Sequence, residues 1–347
     1  MRGLVVTFLI AIAILLQGCG KVVVPQNNAG NGGGGGTGGQ HLYEGNCDLL
    51  GAPYGGGNGT STDPYMVCTV THLYNISQPG AGGHNYVLLK DLDLDGAPLF
   101  AISDFTGTFD GNGYILNKLR DAMLFSNSSG TIRNVILTNA DINGSFQTGV
   151  LLGWNQAGGV VSNCHVSGLL TVAFGSGGLV GRNEGTITRS SANVAIQGVD
   201  TLGGLVGLNR GTINKSFSQG SVVASSTVFG AVGGFVGDNF SGTITDCYSS
   251  ASAQGRSRVG GFFGQNEATI VNAYSTGAVA ATGADLGGFG GLNTGTVTSG
   301  YFNSQTSGIG TTSGGTAKTT AEMQNSGTYV GFDFSTIWNL TSYPVLR

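Results

Sequence analysis

Residues 178–187 read Gly-Leu-Val-Gly-Arg-Asn-Glu-Gly-Thr-Ile, and residues 204–213, 26 positions later, read Gly-Leu-Val-Gly-Leu-Asn-Arg-Gly-Thr-Ile. Each copy has an apolar pair, then a Gly-x-Asn step, then a Gly-Thr-Ile step. Gly-x-Asn steps recur every 26 to 30 residues, beginning at Gly153, Gly181, Gly207, Gly237, Gly264 and Gly291. A fixed period in this range is the sequence signature of a repeat architecture.

The repeating units have the composition of β-strands. They are rich in β-branched residues and short apolar runs, they carry Gly and Asn where corners are needed, and they lack the 3.6-residue spacing of a helix. We therefore predict an all-β fold, a parallel β-helix (β-solenoid) of about six or seven coils with N- and C-terminal caps.

One residue type recurs at the corner of each predicted coil. Successive coils of a solenoid stack at about 4.8 Å, so an Asn in the same slot of each coil can hydrogen-bond to the coils above and below it. We predict this structural role for Asn127, Asn155, Asn183, Asn209, Asn239, Asn266 and Asn293. By the same argument, the Ile of Gly-Thr-Ile forms an aliphatic ladder inside the solenoid.

Two further columns follow the Ile position. The first holds Cys164 and Cys247, three coils or about 14 Å apart, which is too far for a disulfide, so both are predicted to be free and buried. The second becomes aromatic in the later coils, at Tyr248, Tyr274 and Tyr301. This tyrosine column is either internal packing or a strip on which a carbohydrate ligand stacks.

The composition argues against nucleic-acid binding. Of the 347 residues, 65 are Gly and only 9% are charged, against about 25% in an ordinary globular protein. The formal net charge of −4 provides no basic field for nucleic acid.

The N-terminus predicts export and lipidation. Leu4 to Leu16 is an almost unbroken apolar run of 13 residues, too short to span a bilayer as a helix. It leads into Leu16-Gln17-Gly18-Cys19, which resembles the lipobox of bacterial lipoproteins and implies cleavage before Cys19 and its acylation, for example with palmitate. The expected localisation is the cell envelope, at the outer membrane or cell surface, with the membrane as partner through acylated Cys19.

The rest of the chain divides by composition. We predict a signal peptide over residues 1–18, a Gly-rich tether over 19–40, an N-terminal capping region over 41–110, repeats over 111–305, and a link with a C-terminal cap over 306–347. Cys47 and Cys68 flank a Gly-rich turn in an exported protein and are predicted to form a disulfide. Bulky residues that can cover the last coil are Phe332, Phe334, Trp338 and Tyr343.

The Gly-Leu-Val-Gly cores at 178–181 and 204–207, each followed by Asn and Gly-Thr-Ile, resemble the GLUG motif of bacterial surface proteins. That group includes adhesin-like proteins and some immunoglobulin A peptidases. Flanking pieces agree with the resemblance, including residues 105–113 before the repeats and Trp338 with 343–346 after them. The resemblance implies a solenoid architecture and an adhesin-like lipoprotein, but no particular activity, because the motif is a structural unit.

The sequence predicts no catalytic residues, no cofactor and no metal. The four His residues, 41, 72, 84 and 165, have no metal-ligand spacing to a second His or Cys. Asp91, Asp93 and Asp95 imitate the start of a calcium loop, but Ile102 stands where the bidentate Glu belongs. The same alternation also fits a plain strand, so calcium at these aspartates stays open.

The functional prediction is a lipid-anchored binding, adhesion or scaffold protein of the cell surface without catalytic activity. Its partners would be a host, matrix or cell-surface glycan or protein. The alternatives are a polysaccharide-binding module that uses the tyrosine column, and a polysaccharide lyase-like β-helix enzyme centred on Asp91, Asp93, Asp104 and Asp110.

Overall fold

The computed structural model describes residues 47, 52–97, 101–225 and 230–347. The strands of successive repeats pair in parallel, one coil on the next, and the solenoid has about eight turns. The predicted all-β parallel solenoid is therefore confirmed. The predicted anchor at Cys19 and the tether lie outside the described residues.

The largest sheet has 19 described strands and contains two columns on either side of a corner. The first column consists of Tyr65–Val67, Asn85–Leu88, Thr108–Asp110, Thr131–Arg133, Val160–Ser162, Thr186–Thr188 and Thr212–Asn214. The second consists of Leu92–Asp93, Ile115–Asn117, Ile136–Asn143, His165–Thr171, Ser191–Gly198, Phe217–Ala224, Ser252–Gly255, Val279–Ala281 and Thr316–Lys318. Three later strands pass through the corner without a break: Thr243–Ser249, Thr269–Ser275 and Thr296–Asn303.

Two smaller parallel sheets complete each repeat. In one of them, called here the Asn sheet, each strand ends at the repeat Asn, except that the first strand ends at Ser128. It contains Phe125–Ser128, Leu152–Asn155, Val180–Asn183, Val206–Asn209, Val236–Asn239, Phe263–Asn266 and Gly290–Asn293. The other contains Phe174–Gly177, Asp200–Gly203, Val232–Gly233, Val259–Gly260 and Leu286–Gly287. The glycine that ends the latter strands is needed for close packing: a Cβ at Gly203 would lie 1.9 Å from the carbonyl oxygen of Val206.

The core is built from columns of identical slots. The slot of Ile187 is filled in neighbouring coils by Ile132, Val161, Ile213, Ile244 and Ile270, and all six side chains are fully buried. A second column holds Phe235, Phe262 and Phe289, whose rings stack at 4.6 and 5.1 Å. Because each side chain packs on its equivalents above and below, no coil buries its apolar face alone.

The solenoid begins earlier than predicted. Tyr65–Val67, Asn85–Leu88 and Thr108–Asp110 pair in parallel with one another and then with Thr131–Arg133. They belong to the segment predicted as an N-terminal cap, so the predicted boundary at residue 111 is wrong. These coils lack the full repeat motif, in which an apolar pair precedes Gly-x-Asn and a Gly-Thr-Ile step follows it, and only the strand pairing shows that they continue the stack.

In the described part of the chain, the few helices lie near the first and last coils. Val70–Asn75 and the 3-10 turn Ala81–Gly83 lie between the first strands. At the other end lie Ser304–Ser307, Thr320–Met323, the 3-10 turn Ser326–Thr328, and an antiparallel pair formed by Trp338–Leu340 and Pro344–Leu346. Thr319 and Glu322 form a capping box that starts the second of these helices.

Candidate functional site

The acidic loop is tied to basic residues of the next coil. Lys118 Nζ lies 3.0 Å from Asp93 Oδ2 and 3.4 Å from Asp95 Oδ2, and the Ile115 amide donates to Asp91 Oδ1 at 2.7 Å. The hydrogen bond from Lys118 lowers the pKa of Asp93. These exposed aspartates therefore have partners within the protein, as expected of a solvated strand.

The two further aspartates of the lyase hypothesis have different partners. Asp110 accepts from Arg133 Nε at 2.8 Å and from Asn134 Nδ2 at 2.9 Å, while Asp104 accepts from Asn127 Nδ2 at 2.6 Å. Over the described ranges there is no group of three or more His, Cys, Asp or Glu side chains placed to hold a metal ion.

The repeat asparagines form a buried ladder. The side-chain Nδ2 of one asparagine donates to the Oδ1 of the asparagine in the next coil, at 2.7 to 2.8 Å. The ladder consists of Asn155, Asn183, Asn209, Asn239, Asn266 and Asn293. The prediction of Asn127 in this ladder is wrong. Ser128, not Asn127, pairs with Asn155, and Asn127 pairs with Trp154. The number of residues between the repeat Asn and the following Ile or Val varies, so spacing alone leaves the register open by one.

The tyrosine column is not a ligand strip. Tyr248, Tyr274 and Tyr301 are only 8%, 2% and 7% exposed, because the C-terminal segment packs over them. Trp338 lies within about 6 Å of the first two rings, and the Tyr274 hydroxyl donates to the Pro344 carbonyl. Burial raises the pKa of Tyr274 well above its ordinary value. The predicted carbohydrate strip is therefore wrong, and the column is internal packing.

The cysteines fall into two classes. Cys47 and Cys68 are joined in a disulfide next to Val87 and Leu89. Cys164 and Cys247 are free and fully buried. Burial raises the pKa of the Cys164 thiol to about 12, so it stays protonated and unreactive at neutral pH.

The structure also shows an exposed apolar feature that was not predicted from the sequence. Phe146 and Phe174 are 61% and 43% exposed, their ring centroids are 6.3 Å apart, and they lie on adjacent coils. Val199 is also exposed, and its amide donates to the Ala173 carbonyl. We call Phe146, Phe174 and Val199 the corner patch. The sequence feature that could have revealed this patch is an apolar residue within a short corner segment, where polar residues are usual, as in Ser145-Phe146-Gln147.

The outer face of the Asn sheet combines aromatic and charged side chains. The Arg182 guanidinium lies 4.9 Å from the Trp154 ring centroid, and the Trp154 indole N–H donates to Glu184 at 3.2 Å. On a later coil, Arg210 lies over the Phe240 ring at 4.4 Å. These contacts satisfy the side chains involved and leave Phe240 partly exposed.

Among the residues with assigned structure, no helix has the length and apolar character needed to cross a membrane. No protein-family model matches the chain.

The comparisons with known proteins give a fold relationship. A crystal structure of a candidate immunoglobulin A1 protease from Bacteroides ovatus is 21% identical, covers 86% of this chain and 96% of its own, and superposes with a TM-score of 0.54. A second structure, described as an IgA1 protease, is 19% identical, covers 73% of this chain and 21% of its own, and has a TM-score of 0.47.

A sequence relative is halomucin of Haloquadratum walsbyi, 31% identical over 166 residues. That alignment covers 40% of this chain, and the chain spans only 2% of the length of halomucin. The chain is thus similar in fold to the Bacteroides ovatus protein and similar in part of its sequence to halomucin.

Proposed function

We propose that the chain is a lipid-anchored surface protein, of the GLUG-repeat type, that binds a macromolecular partner through its solenoid and has no catalytic activity. The observation that carries the proposal is the corner patch. A pair of large aromatic side chains exposed side by side is unusual in a protein that buries its other columns, and such patches mark interaction sites.

The anchor belongs to the same proposal and rests on the lipobox-like sequence at Cys19. The protease names of the structural neighbours are not carried over, because 21% identity relates the folds alone. Halomucin adds only a similarity over part of this chain.

The first experiment tests placement at the surface. A C-terminal tag is probed with protease and antibody in intact and broken cells, and Cys19→Ala is compared with wild type. We expect the wild-type tag to be accessible in intact cells and the variant to be released. Protection of the wild-type tag in intact cells would overturn the surface assignment.

The second experiment tests the patch. The double variant Phe146→Ser/Phe174→Ser is compared with wild type for binding to host cells and matrix-coated surfaces. Val330→Ser is the matched control, since Val330 is 71% exposed but lies on the C-terminal segment. We expect the double variant to lose binding while the control keeps it. Equal binding by all three proteins would exclude the patch as the interface.

The absence of activity is also testable. Purified protein is incubated with immunoglobulin A1 and with neutral and acidic polysaccharides, and the products are separated by size. We expect no turnover, and cleavage of any of these would overturn this part of the proposal.

A further inference from the structure

A column of residues with left-handed backbone conformation turns the largest sheet through its corner. Each member lies two residues after the inward-facing Ile or Val of its coil, and its φ lies between 47° and 56°. The column consists of Asn134, Asn163, Arg189, Lys215, Asp246, Asn272 and Ser299. Asn and Asp tolerate this conformation because their short polar side chains bond locally, whereas for other residues with a Cβ it costs roughly 1–2 kcal/mol each.

Arg189 and Lys215 are therefore unfavourable choices for this column. Where Asn occupies it, the side chains can bridge coils, as Asn163 Nδ2 does to Asn134 Oδ1 at 2.9 Å. Neither Arg189 nor Lys215 forms an ion pair with another described residue. Two successive coils thus place a cation at a strained backbone position where it gains no ionic partner. A contribution to the stability of the fold therefore does not explain why Arg189 and Lys215 occupy these positions.

Both cations line one groove. It has a volume of about 220 Å³ and lies between the solenoid and the C-terminal segment. Its other walls include Asn163, His165, Phe217 and Arg347, and no Asp or Glu lines it. Its volume is below the range of about 300–1,000 Å³ typical of sites for drug-sized molecules, so it fits one small group.

The acid of the column, Asp246, does not line the groove. Asp246 follows Lys215 in the next coil, but it is buried and its Oδ1 accepts from the Trp338 indole at 3.3 Å and from Asn272 at 3.1 Å. The Arg347 guanidinium donates to the carbonyls of Trp338 and Phe334, both at 2.9 Å. Arg189 and Lys215 are therefore the cations free to contact a ligand.

Phe217 gives the groove an apolar surface. One face of its ring stacks on Tyr248 at 4.9 Å with an interplanar angle of 4°. The residue opposite its other face, in the preceding coil, is Ser191. The aromatic column therefore stops at Phe217, and no further ring stacks there among the residues that the structure describes.

We propose that this groove binds one negatively charged sugar residue of a glycan. A guanidinium presents paired donors that match a carboxylate or sulfate, and the ammonium of Lys215 adds a second positive charge. The Phe217 ring offers a surface for the C–H face of the sugar, and the amide of Asn163 can bond to a hydroxyl. The groove is distinct from the corner patch, so this inference goes beyond the function proposed above.

The test uses a double variant that keeps the fold. Arg189→Asn/Lys215→Asn introduces the residue that stands in this column at 134, 163 and 272, so we expect it to fold and to melt no lower than wild type. The control, Lys90→Asn/Arg256→Asn, removes the same charge from two exposed residues outside the groove. A third variant, Phe217→Leu, removes the ring and keeps the charges.

Binding of the full chain is measured by calorimetry with three probes: oligogalacturonate, a sulfated oligosaccharide, and a neutral oligosaccharide of equal length. We expect at least one anionic probe to bind wild type and the control equally, more weakly as salt is added, and the neutral probe not to bind. The double variant should lose at least about tenfold in affinity, and Phe217→Leu should also be weaker.

A preference between the carboxylated and sulfated probes identifies which anion the groove takes. Binding of the neutral probe as tightly as the anionic ones, unchanged binding by the double variant, or no binding of either anionic probe by wild type would each overturn the proposal. None of these results bears on the corner patch, which is tested on cells.

Discussion

Asn209 lies in the middle of the buried asparagine ladder, and its side chain serves two neighbours. It accepts from Asn183 Nδ2 and donates to Asn239 Oδ1, both at 2.8 Å. In a parallel stack this arrangement gives each amide between the two ends of the ladder both a donor and an acceptor in the neighbouring coils. The ladder therefore favours the alignment of equivalent asparagines in successive coils, in addition to contributing hydrogen bonds.

Replacement of Asn209 by Leu should destabilise the protein by about 2–5 kcal/mol, because it leaves a buried donor on Asn183 and a buried acceptor on Asn239 without partners. Denaturant unfolding followed by circular dichroism measures the loss. Asn293→Leu is the matched control: it lies at the half-buried end of the ladder and loses a single ladder bond, so its cost should be smaller. Equal costs would mean that the ladder is not a continuous network.

At the other end of the ladder, beside Asn155, we expect one substitution to stabilise the protein. Asn155 Oδ1 is buried and has no hydrogen-bond partner among the described residues, and the residue above it is Ser128. Ser128→Asn should extend the ladder by one bond and raise the free energy of unfolding by about 1 kcal/mol. The same substitution at the neighbouring, half-buried Ser129 is not expected to do so, although it changes composition identically. A lower stability for Ser128→Asn would show that the site has no room for the longer side chain.

The raised pKa of Asp238 should make the stability of the protein depend on pH. Burial, and then the charge of Glu267, raise its pKa to about 6 from its ordinary value of 3.8, despite Arg258 and Arg210 nearby. Between these two values the folded state holds more protons than the unfolded state, so stability falls as pH rises from about 4 to 6. Asp238→Asn should stabilise the protein at pH 7 by up to about 3 kcal/mol and give no gain below pH 4.

Denaturant titrations at pH 4, 5, 6 and 7 test this prediction. Asp333 supplies the opposite case, since hydrogen bonds from Ser335 and Thr336 lower its pKa. Asp333→Asn should therefore lower stability at pH 7. If Asp238→Asn also lowered stability at pH 7, the folded protein would favour the charged form of Asp238, and the raised pKa assigned to it would be wrong.

At the scale of elements, the C-terminal segment behaves as a lateral cover for the aromatic column. Trp338 is fully buried, lies 4.9 Å from the Phe332 ring, and packs against Tyr248 and Tyr274. The strand pair Trp338–Leu340 and Pro344–Leu346 and the helix Thr320–Met323 thus cover aromatic residues of three coils. Without this cover the column would be an exposed apolar strip.

Trp338→Ala should cost about 3–5 kcal/mol through the cavity and the lost contacts. We expect limited proteolysis to remove the segment after residue 319 faster than in wild type, while the far-ultraviolet spectrum of the solenoid is kept. Val330→Ala, on the exposed surface of the same segment, is the control and should leave the cleavage rate unchanged. Unchanged proteolysis in Trp338→Ala would contradict the role of this side chain in docking the segment.

For the whole molecule, the free energy of unfolding should be the sum of a contribution from each coil and one from each contact between neighbouring coils, because each coil contacts only its neighbours. Thr186 and Thr212 occupy equivalent positions in adjacent coils, as do Ile187 and Ile213. Deletion of residues 186–211 joins Gly185 to Thr212 and removes one coil while every column stays aligned. We expect a folded protein of lower stability.

Circular dichroism and denaturant unfolding of this deletion provide the measurement. Deletion of residues 186–198 is the control: it removes part of a coil and shifts the following residues out of their columns, so it should unfold the stack or make it aggregate. If the whole-coil deletion failed to fold, the repeats would not be interchangeable units.

The repeat period and its Ile and Asn columns were sufficient to predict the parallel solenoid. Inward positions recur once per coil in a stack, so the pattern is present in the linear order of residues. Cys164 and Cys247 were also predictable as buried residues, because their slot holds small residues in every copy.

Tertiary structure alone decided three further features. The ladder begins at Asn155 with Ser128 above it, since the corner after the repeat Asn varies in length and strand pairing sets the register. The first coils lack the repeat motif, so their membership depends on their pairing. The C-terminal segment has no period to align, and its packing over Tyr248, Tyr274 and Tyr301 decides which surfaces remain open: a covered column and, beside it, a basic groove.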